Sequence, residues 1–228
     1  MKRLFDIVAS GLATVILSPL LVPLIVLLRL SGEGKIFYAQ ERVGRGGRPF
    51  AILKFATMLE NSPNLPGGDI TVDKDPRILP MGHFLRATKI NELPQLFNVL
   101  RGDMSLIGPR PMTARVITLF PPSYASVIAS LRPGLSGIGS IVFRDEEALL
   151  RGVTDRERVY GEIIAPYKVA LETWYKARAG LGLDLKLIFL TLAVVVRPNI
   201  QVARHLKDLP PPPPAIQRLR QQAGLSAA

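Results

Sequence analysis

Six arginine residues in the middle of the chain are the side chains best suited to chemistry. A guanidinium group binds phosphate through two parallel hydrogen bonds, so this set favours a phosphorylated or pyrophosphorylated ligand. A basic surface that holds anionic lipid headgroups would have the same composition, and charge alone does not separate the two interpretations. The six are Arg77, Arg86, Arg101, Arg110, Arg132 and Arg144.

Few carboxylates are available to act beside these arginine residues. An acid among arginine side chains suggests a Mg²⁺ ion that also binds phosphate, although an ordinary salt bridge is the more frequent arrangement. The candidates are Glu92, Asp103, Asp145, Glu146, Glu147 and Asp184.

Arg110 lies between two prolines in the segment Gly108-Pro109-Arg110-Pro111. The prolines restrict the backbone on either side, which pre-organises the arginine for binding at low entropic cost. A purely structural loop has the same pattern. The chain has no Walker A loop and no dinucleotide glycine motif, and this disfavours the soluble nucleotide-binding folds.

A short helix over residues 91–102 is predicted to position the acidic candidate Glu92. Asn91 is a favourable N-cap, and Gly102 is a favourable end. Unpaired N–H groups at the start of such a helix favour an anion. Its apolar face consists of Leu93, Leu96, Phe97 and Leu100.

Other local patterns predict the surrounding elements. Residues 36–43 and 50–55 are rich in β-branched and aromatic types and flank a glycine-rich basic turn, which predicts a β-hairpin. Polar residues 61–75 predict a loop. The apolar run 187–196 is too short to cross a membrane, so it is expected at the membrane interface or against the core. The proline run that begins at Pro210 predicts a spacer, and a tail peripheral to activity is expected there.

An uncharged stretch of 22 residues, Ile7 to Leu28, has the length of a transmembrane helix. Ser18-Pro19 lies at its middle, where a proline kinks or breaks a helix and a serine hydroxyl can bond the carbonyl that the proline leaves unpaired. Basic residues flank both ends, whereas a single span should show an imbalance. A re-entrant helix–break–helix and a kinked span are both open at this point.

Composition excludes several classes of protein. With 29 Lys and Arg against 18 Asp and Glu the net charge is +11, which favours anionic partners. The absence of cysteine excludes disulfides and thiolate sites, and two histidines (His83 and His205) are too few for an ordinary zinc site. Nucleic acid is disfavoured because the basic residues are not interleaved with aromatic ones.

A series of motifs, in this order along the chain, resembles the bacterial sugar transferase family, the monotopic phosphoglycosyl transferases. The resemblance covers roughly Lys2 to Val196. The motifs are Lys2-Arg3-x-x-Asp6, Ser18-Pro19, Glu41-Arg42-Val43-Gly44, Leu53-Lys54-Phe55, Glu92-Leu93-Pro94-Gln95-Leu96, the segment from Gly102 to Pro111, Arg132 to Gly137, and Leu183 to Lys186.

The resemblance implies an α+β, mostly helical fold with a β-hairpin and interfacial amphipathic helices. Residues 1–31 would form a re-entrant membrane helix broken at Ser18-Pro19, and residues 32–200 a catalytic domain on the cytoplasmic face of the bacterial inner membrane. Residues 201–228 would form the proline-rich tail. A second copy of the chain and glycan-assembly enzymes are candidate partners.

The resemblance also implies the activity. The enzyme would move a phosphosugar from a UDP-sugar to undecaprenyl phosphate with Mg²⁺ and release UMP, as the first membrane step of capsule, exopolysaccharide, O-antigen or glycoprotein glycan synthesis. In the family the reaction passes through a covalent phosphosugar on the Asp of an Asp-Glu pair. The residues assigned here are Glu92 and Asn91 for catalysis, Lys54, Arg86, Arg110 and Arg144 for the diphosphate, and Glu92 and Asp184 for the metal.

The chain departs from the family where the Asp-Glu pair should begin, because that position is Asn91. A neutral amide is a poor nucleophile and a weak Mg²⁺ ligand. Glu92 could be the nucleophile, the lipid phosphate could attack directly, the asparagine could be an engineered change, or the protein could be a catalytically silent homologue that binds polyprenyl phosphate or organises a glycan-assembly complex. We expect Glu92 to be the essential carboxylate. The family's Trp-Ala-Gln-Val-Asn-Gly-Arg stretch is also replaced, by residues 138–144 followed by Asp145-Glu146-Glu147.

Overall fold

The uncharged N-terminal stretch forms one helix, α1 (Lys2–Leu30), in a computed structural model that describes residues 1–62, 76–197 and 200–225. Pro19 cannot donate to the Val15 carbonyl, and the Ser18 hydroxyl donates to that carbonyl instead at 2.7 Å. Helical backbone therefore continues through the pair, and the predicted separation into two helices was wrong. Among the described residues, α1 is the one helix long and apolar enough to cross a membrane.

The N-terminal end of α1 is fastened to the rest of the protein by polar contacts. Lys2 forms an ion pair with Asp184. Asp6 is buried and accepts hydrogen bonds from the Ser105 hydroxyl at 2.9 Å and from the Leu106 N–H at 3.2 Å. This end of the helix is therefore held in place by groups that lie about 100 residues or more away in the sequence.

The C-terminal end of α1 packs on the same body through apolar side chains. Leu21, Leu24 and Leu28 are buried in a cluster with Phe55 and Leu85. Burying a leucine side chain contributes about 1.5–3 kcal/mol. Both ends of α1 thus lie against one domain, while its remaining surface is apolar and exposed.

The predicted hairpin is confirmed. Strands β1 (Phe37–Val43) and β2 (Pro49–Phe55) pair antiparallel, with Phe37 opposite Phe55 and Val43 opposite Pro49. A short 3₁₀ turn, Arg45–Gly47, joins them, and Gly46 and Gly47 both have positive φ there.

A second, two-stranded sheet fixes the start of the proline-flanked arginine loop. Strand β3 (Ser105–Ile107) pairs parallel with β4 (Gly134–Ser136). The chains approach so closely that a Cβ on Gly134 would lie 2.1 Å from the Gly108 nitrogen. Glycine is therefore required at this crossing, which sets the position of the following Arg110.

The remaining elements are helices. They are α2 (Pro80–Ala87), α3 (Gln95–Arg101), α4 (Ala114–Ile117), α5 (Tyr124–Ser130), α6 (Ile138–Val142), α7 (Glu146–Leu149), α8 (Arg156–Val159), α9 (Ala165–Arg178), α10 (Leu181–Val196) and α11 (Pro214–Gln222), with a π-helical turn at Tyr160–Ile164 before α9.

The main core forms around α9 and α10. The apolar run predicted at 187–196 lies within α10, whose buried face includes Leu187 and Leu190. The opposite face exposes Phe189, Leu192 and Val196. Most of the loop predicted at 61–75 lies outside the described residues.

The described part of the proline-rich tail, residues 200–225, packs against the core, and its peripheral role in activity stays a prediction. Val202, Leu206, Ile216 and Leu219 are buried in the main core cluster. The Tyr167 hydroxyl also donates to the Pro210 carbonyl at 2.9 Å. The proline run therefore leads α11 back onto the core, because the helix carries its own apolar face.

Candidate active site

Glu92 lies at the end of a 3₁₀ turn, Ile90–Glu92, that comes just before α3. Lys89 begins this turn in the left-handed conformation, with φ of 61°. The predicted N-cap role of Asn91 was wrong, because the N-cap of α3 is Pro94 and Asn91 lies inside the turn. The predicted end at Gly102 is confirmed, with φ of 105°.

Two cations from different elements meet the Glu92 carboxylate. Arg110 donates from Nη2 to Oε1 at 2.8 Å and from Nη1 to Oε2 at 3.5 Å. Lys54 of β2 places its Nζ 3.5 Å from Oε1. The Glu92 side chain is 16% exposed and that of Arg110 is 40% exposed, so solvent reaches the arginine side of this cluster.

The charges of this cluster shift its titration. Burial alone would raise the pKa of Glu92, but Arg110 and Lys54 outweigh burial and hold that pKa well below its usual range. Burial lowers the pKa of Lys54 to about 8; Glu92 partly opposes this, and Arg110, Arg42 and Arg86 add to it. The attraction of Glu92 raises the pKa of Arg110. At neutral pH the cluster therefore contains an ionised carboxylate and two cations.

Asn91 is placed beside this cluster in sequence and is itself buried. Its side chain is 6% exposed, and within the described part of the chain its Oδ1 has no hydrogen-bond partner. An unpaired buried acceptor costs roughly 1–3 kcal/mol, which is the kind of site that a ligand or an ion satisfies.

Arg86 of α2 belongs to the same region. It donates to Glu147 of α7 at 3.5 Å, and its charge contributes to the low pKa of Lys54. The structure thus brings together three of the four predicted phosphate ligands, Lys54, Arg86 and Arg110.

Arg144, the fourth predicted phosphate ligand, is held elsewhere. Its Nη1 donates to the Val194 carbonyl at the end of α10 at 2.8 Å, and its other nitrogens donate to Asp145. These contacts tie α6 to α10. The structure does not bring Arg144 into contact with Glu92, Lys54 or Arg110.

Asp184 does not join Glu92 either, contrary to the predicted shared metal site. It is almost fully buried, pairs with Lys2 and accepts a hydrogen bond from the Tyr175 hydroxyl at 2.6 Å. Its carboxylate therefore fastens α1 to the core. Within the described ranges no three His, Cys, Asp or Glu side chains are grouped as a metal site.

The donor chemistry around Glu92 nevertheless suits Mg²⁺. In phosphate sites this ion is commonly bound by one or two carboxylates together with substrate phosphates, and it accepts oxygen ligands. The Glu92 carboxylate and the unpartnered Oδ1 of Asn91 are oxygens of that kind. These two residues would hold the ion when a phosphorylated substrate is present.

A network that sequence analysis missed adjoins Arg110. Lys168 is buried, donates to Glu146 at 2.5 Å and to the Tyr160 hydroxyl at 3.1 Å, and lies over the ring of Phe143. Glu146 and Tyr160 both contribute to raising the pKa of Arg110. Glu146 was among the acidic candidates. The sequence signal for Lys168 was a lone lysine within an otherwise apolar stretch of α9.

The arrangement can bind an anionic phosphate chain. Arg110 and Arg86 retain donors that their carboxylate partners do not use, since a guanidinium has five N–H groups. Lys54 adds a point charge beside Glu92. The positive charge of this set of cations suits an anion such as a diphosphate.

Comparison with known proteins gives consistent matches. The sequence model of the family described as bacterial sugar transferase matches residues 1–198. The chain is 33% identical over 208 residues to the exopolysaccharide production protein ExoY of Sinorhizobium fredii, covering 85% of this chain and 84% of that protein. It is 37% identical over 201 residues to the UDP-glucose:undecaprenyl-phosphate glucose-1-phosphate transferase of Caulobacter vibrioides, covering 84% and 68%. It is 34% identical over 211 residues to the undecaprenyl-phosphate galactose phosphotransferase of Salmonella typhimurium, covering 86% and 40%.

Proposed function

Because the chain belongs to the bacterial sugar transferase family, we propose that it transfers a phosphosugar from a UDP-sugar to undecaprenyl phosphate and releases UMP. The names of the relatives support the substrates, and the relative ExoY supports exopolysaccharide as the product class. The contact of Lys54 and Arg110 with Glu92 is the observation that carries the proposal. It unites cations that can bind a diphosphate with a carboxylate that can react or bind a metal.

In this proposal Arg110 and Arg86 hold the donor diphosphate and Lys54 neutralises the charge that develops on it. A Mg²⁺ ion bound by Glu92 and Asn91 would supply further charge neutralisation. As Arg110 turns its donors toward the phosphate, its hold on Glu92 weakens. The carboxylate is then ionised and less restrained, which is the state that a nucleophile requires.

The covalent route uses Glu92 as the nucleophile. One carboxylate oxygen forms a bond to the β-phosphorus of the donor, and the bond from that phosphorus to the bridging oxygen breaks, so that UMP leaves with the electron pair. An oxygen of undecaprenyl phosphate then attacks the same phosphorus and displaces the Glu92 carboxylate. Atoms and charge balance without another reactant.

Transfer of label from a panel of UDP-sugars into lipid tests the activity. We expect the wild type to transfer at least one sugar phosphate and Glu92→Gln to lose that transfer. Glu157→Gln, the same change in an exposed surface pair, serves as the control and should retain activity. Full activity in Glu92→Gln would overturn the role of Glu92.

The nucleophile is tested separately by withholding the lipid acceptor. A protein adduct of phosphosugar mass should then accumulate on the peptide that contains Glu92. Normal turnover without any adduct would instead indicate direct attack by the lipid phosphate. Asn91→Asp should not raise the rate greatly; a large gain would place the reactive carboxylate at position 91.

Membrane attachment through α1 belongs to the same proposal. Contacts of Lys2 at one end and Leu28 at the other with one domain support a helix that bends at its internal prolines, Pro19 and Pro23, and returns to the side from which it entered, at the cytoplasmic leaflet. The chain has no cysteine, so Leu4→Cys and Leu30→Cys can be labelled one at a time. We expect both to react from the cytoplasmic side; labelling from opposite sides would contradict this topology.

The neutral Asn91 favours a second candidate function, a homologue that binds polyprenyl phosphate without transferring sugar. This candidate predicts lipid binding without label transfer from any UDP-sugar in the panel. Association with a second copy or with glycan-assembly enzymes stays a prediction under either function.

A further inference from the structure

The C-terminal arm, defined as residues 200–225, lies beyond the region that the family model matches, 1–198. It is nevertheless part of the core. Ile216 is fully buried and Leu219 nearly so, and both belong to the cluster that contains Leu149 and Leu150 at the end of α7. This segment, which the family comparison does not cover, therefore packs against α7, the helix that contains the Arg86 partner Glu147.

Arg220 of α11 makes the polar part of this contact. Its Nη2 donates to the carbonyl of Val142 at 2.6 Å, and Val142 is the last residue of α6. Burial lowers the pKa of Arg220, and Tyr167 and Asp145 partly oppose this. Arg220 therefore contacts the backbone where α6 ends, a few residues before α7 begins.

Two acidic side chains of α7 bind cations from other elements. Glu146 binds Lys168, and Glu147 binds Arg86 at 3.5 Å. The Arg86 side chain is 25% exposed and also donates to the Met58 sulfur at 3.8 Å, so Glu147, which is 66% exposed, adds a charged partner to a weak one. Its guanidinium has enough N–H groups to bind Glu147 and a phosphate at the same time.

We propose that the C-terminal arm is a positioning element for donor binding: α11 holds α7 where Glu147 orients Arg86 toward the donor diphosphate. This rests on the proposed function, because the diphosphate is the donor of that reaction. Arg220 and Glu147 are positioning residues, and Arg86 is the group that touches the substrate. The expected signature is weaker donor binding with little change in the chemical step.

Steady-state kinetics with the donor tests this directly. Arg220→Ala and Glu147→Gln should each raise the KM for the UDP-sugar about three- to tenfold and leave kcat within about twofold, because ordering an arginine affects binding of the ground state and the transition state alike. Arg220→Lys should restore most of the loss, since a lysine can also donate to the Val142 carbonyl. Arg218→Ala, an exposed arginine on the same helix, is the matched control and should match the wild type.

The double variant Arg220→Ala/Glu147→Gln shows whether the two residues act through one contact. Its KM should be no higher than that of Arg220→Ala alone, since displacing α7 already removes the Glu147 contact. If the KM of the double variant rose by the product of the two single increases, the two residues would have independent roles and the proposal would be overturned. An unchanged KM in Arg220→Ala, with a lowered melting temperature, would show that the arm is only structural.

Hydrogen exchange separates failure of this inference from failure of the proposed function. Amides of residues 146–150 should exchange faster in Arg220→Ala than in Arg218→Ala, whether or not any sugar is transferred. Unchanged exchange there would overturn the positioning role even in an active enzyme. Absence of transfer by the wild type, with the exchange difference present, would instead count against the donor reaction alone.

Discussion

Two carboxylates in this protein are each bound by a lysine and by a second polar group, yet they belong to very different sites. Asp184 is almost completely buried and is held by Lys2 and the Tyr175 hydroxyl. Glu92 is held by Lys54 and by Arg110, and the Arg110 side chain is 40% exposed. The first carboxylate fastens two helices together, whereas the second lies beside a cation that retains donors for an outside ligand. The partner cations Lys2 and Arg110 are similarly exposed, at 38% and 40%, so the difference lies in the carboxylates: the Asp184 side chain is 2% exposed, whereas that of Glu92 is 16% exposed.

The largest effect is expected at Arg110. Arg110→Ala removes the bidentate partner of Glu92 and a donor for the diphosphate, and should lower kcat/KM by roughly 10²-fold or more. Arg101→Ala is the control, because that arginine is exposed and its ion pair with Asp103 is long, at 4.0 Å. Initial rates of transfer at subsaturating donor measure the effect. Equal losses of kcat/KM in both variants would show that the overall positive charge of the protein, and not this site, attracts the donor.

Asp184→Asn should chiefly affect stability. Removing the charge leaves the Lys2 ammonium without its anion and weakens the Tyr175 hydrogen bond, so we expect the free energy of unfolding to fall by about 2 kcal/mol. Denaturant unfolding in detergent measures it, with donor KM as the companion readout. Unchanged stability with a lower affinity for Mg²⁺ would restore the metal-ligand role and remove the contrast with Glu92.

The pH dependence of donor use tests the role of Lys54. The pKa of Lys54 is lowered to about 8, so its charge is lost as the pH rises through that value, and kcat/KM for the donor should fall with an apparent pKa near 8. In the unfolded chain this lysine holds its proton up to about 10.4. Between these two values the unfolded state binds more protons, and this one group makes the fold more stable as the pH rises.

Lys54→Arg checks this assignment. An arginine stays charged well above pH 8, so the fall in kcat/KM on the alkaline side (the alkaline limb of the pH profile) should move to higher pH or disappear. Lys35→Arg, in an exposed pair with Glu60, is the control and should leave the limb in place. A limb that persists near pH 8 in Lys54→Arg would mean that another group controls donor use.

The smallest effect is expected at a surface pair. Arg115 and Glu157 lie 2.5 Å apart, but their side chains are 67% and 51% exposed. Exposed pairs contribute about 0–1 kcal/mol, so Arg115→Ala should change the free energy of unfolding by less than about 0.5 kcal/mol. A loss as large as that of Asp184→Asn would show that exposure does not set the value of these contacts.

Local patterns in the sequence determined a large part of this protein. The uncharged run predicted α1, the two β-branched segments predicted β1 and β2, and the role of Ser18 beside Pro19 is confirmed as a hydrogen bond to Val15. The ordered motifs also placed Glu92, Lys54 and Arg110 in one site. These features depend on neighbours within a few residues or on motifs that a family shares, and both can be recognised in one chain.

Only the tertiary structure decided which charges meet. Lys2 and Asp184 are 182 residues apart, and no spacing rule joins them. The same holds for Arg220 with Val142, for Lys168 with Glu146, and for Arg144, which binds α10 and not the site. Periodicity identifies the apolar face of a helix but not the element that covers it. For that reason the sequence indicated a proline-rich tail but did not show that α11 packs against the main core.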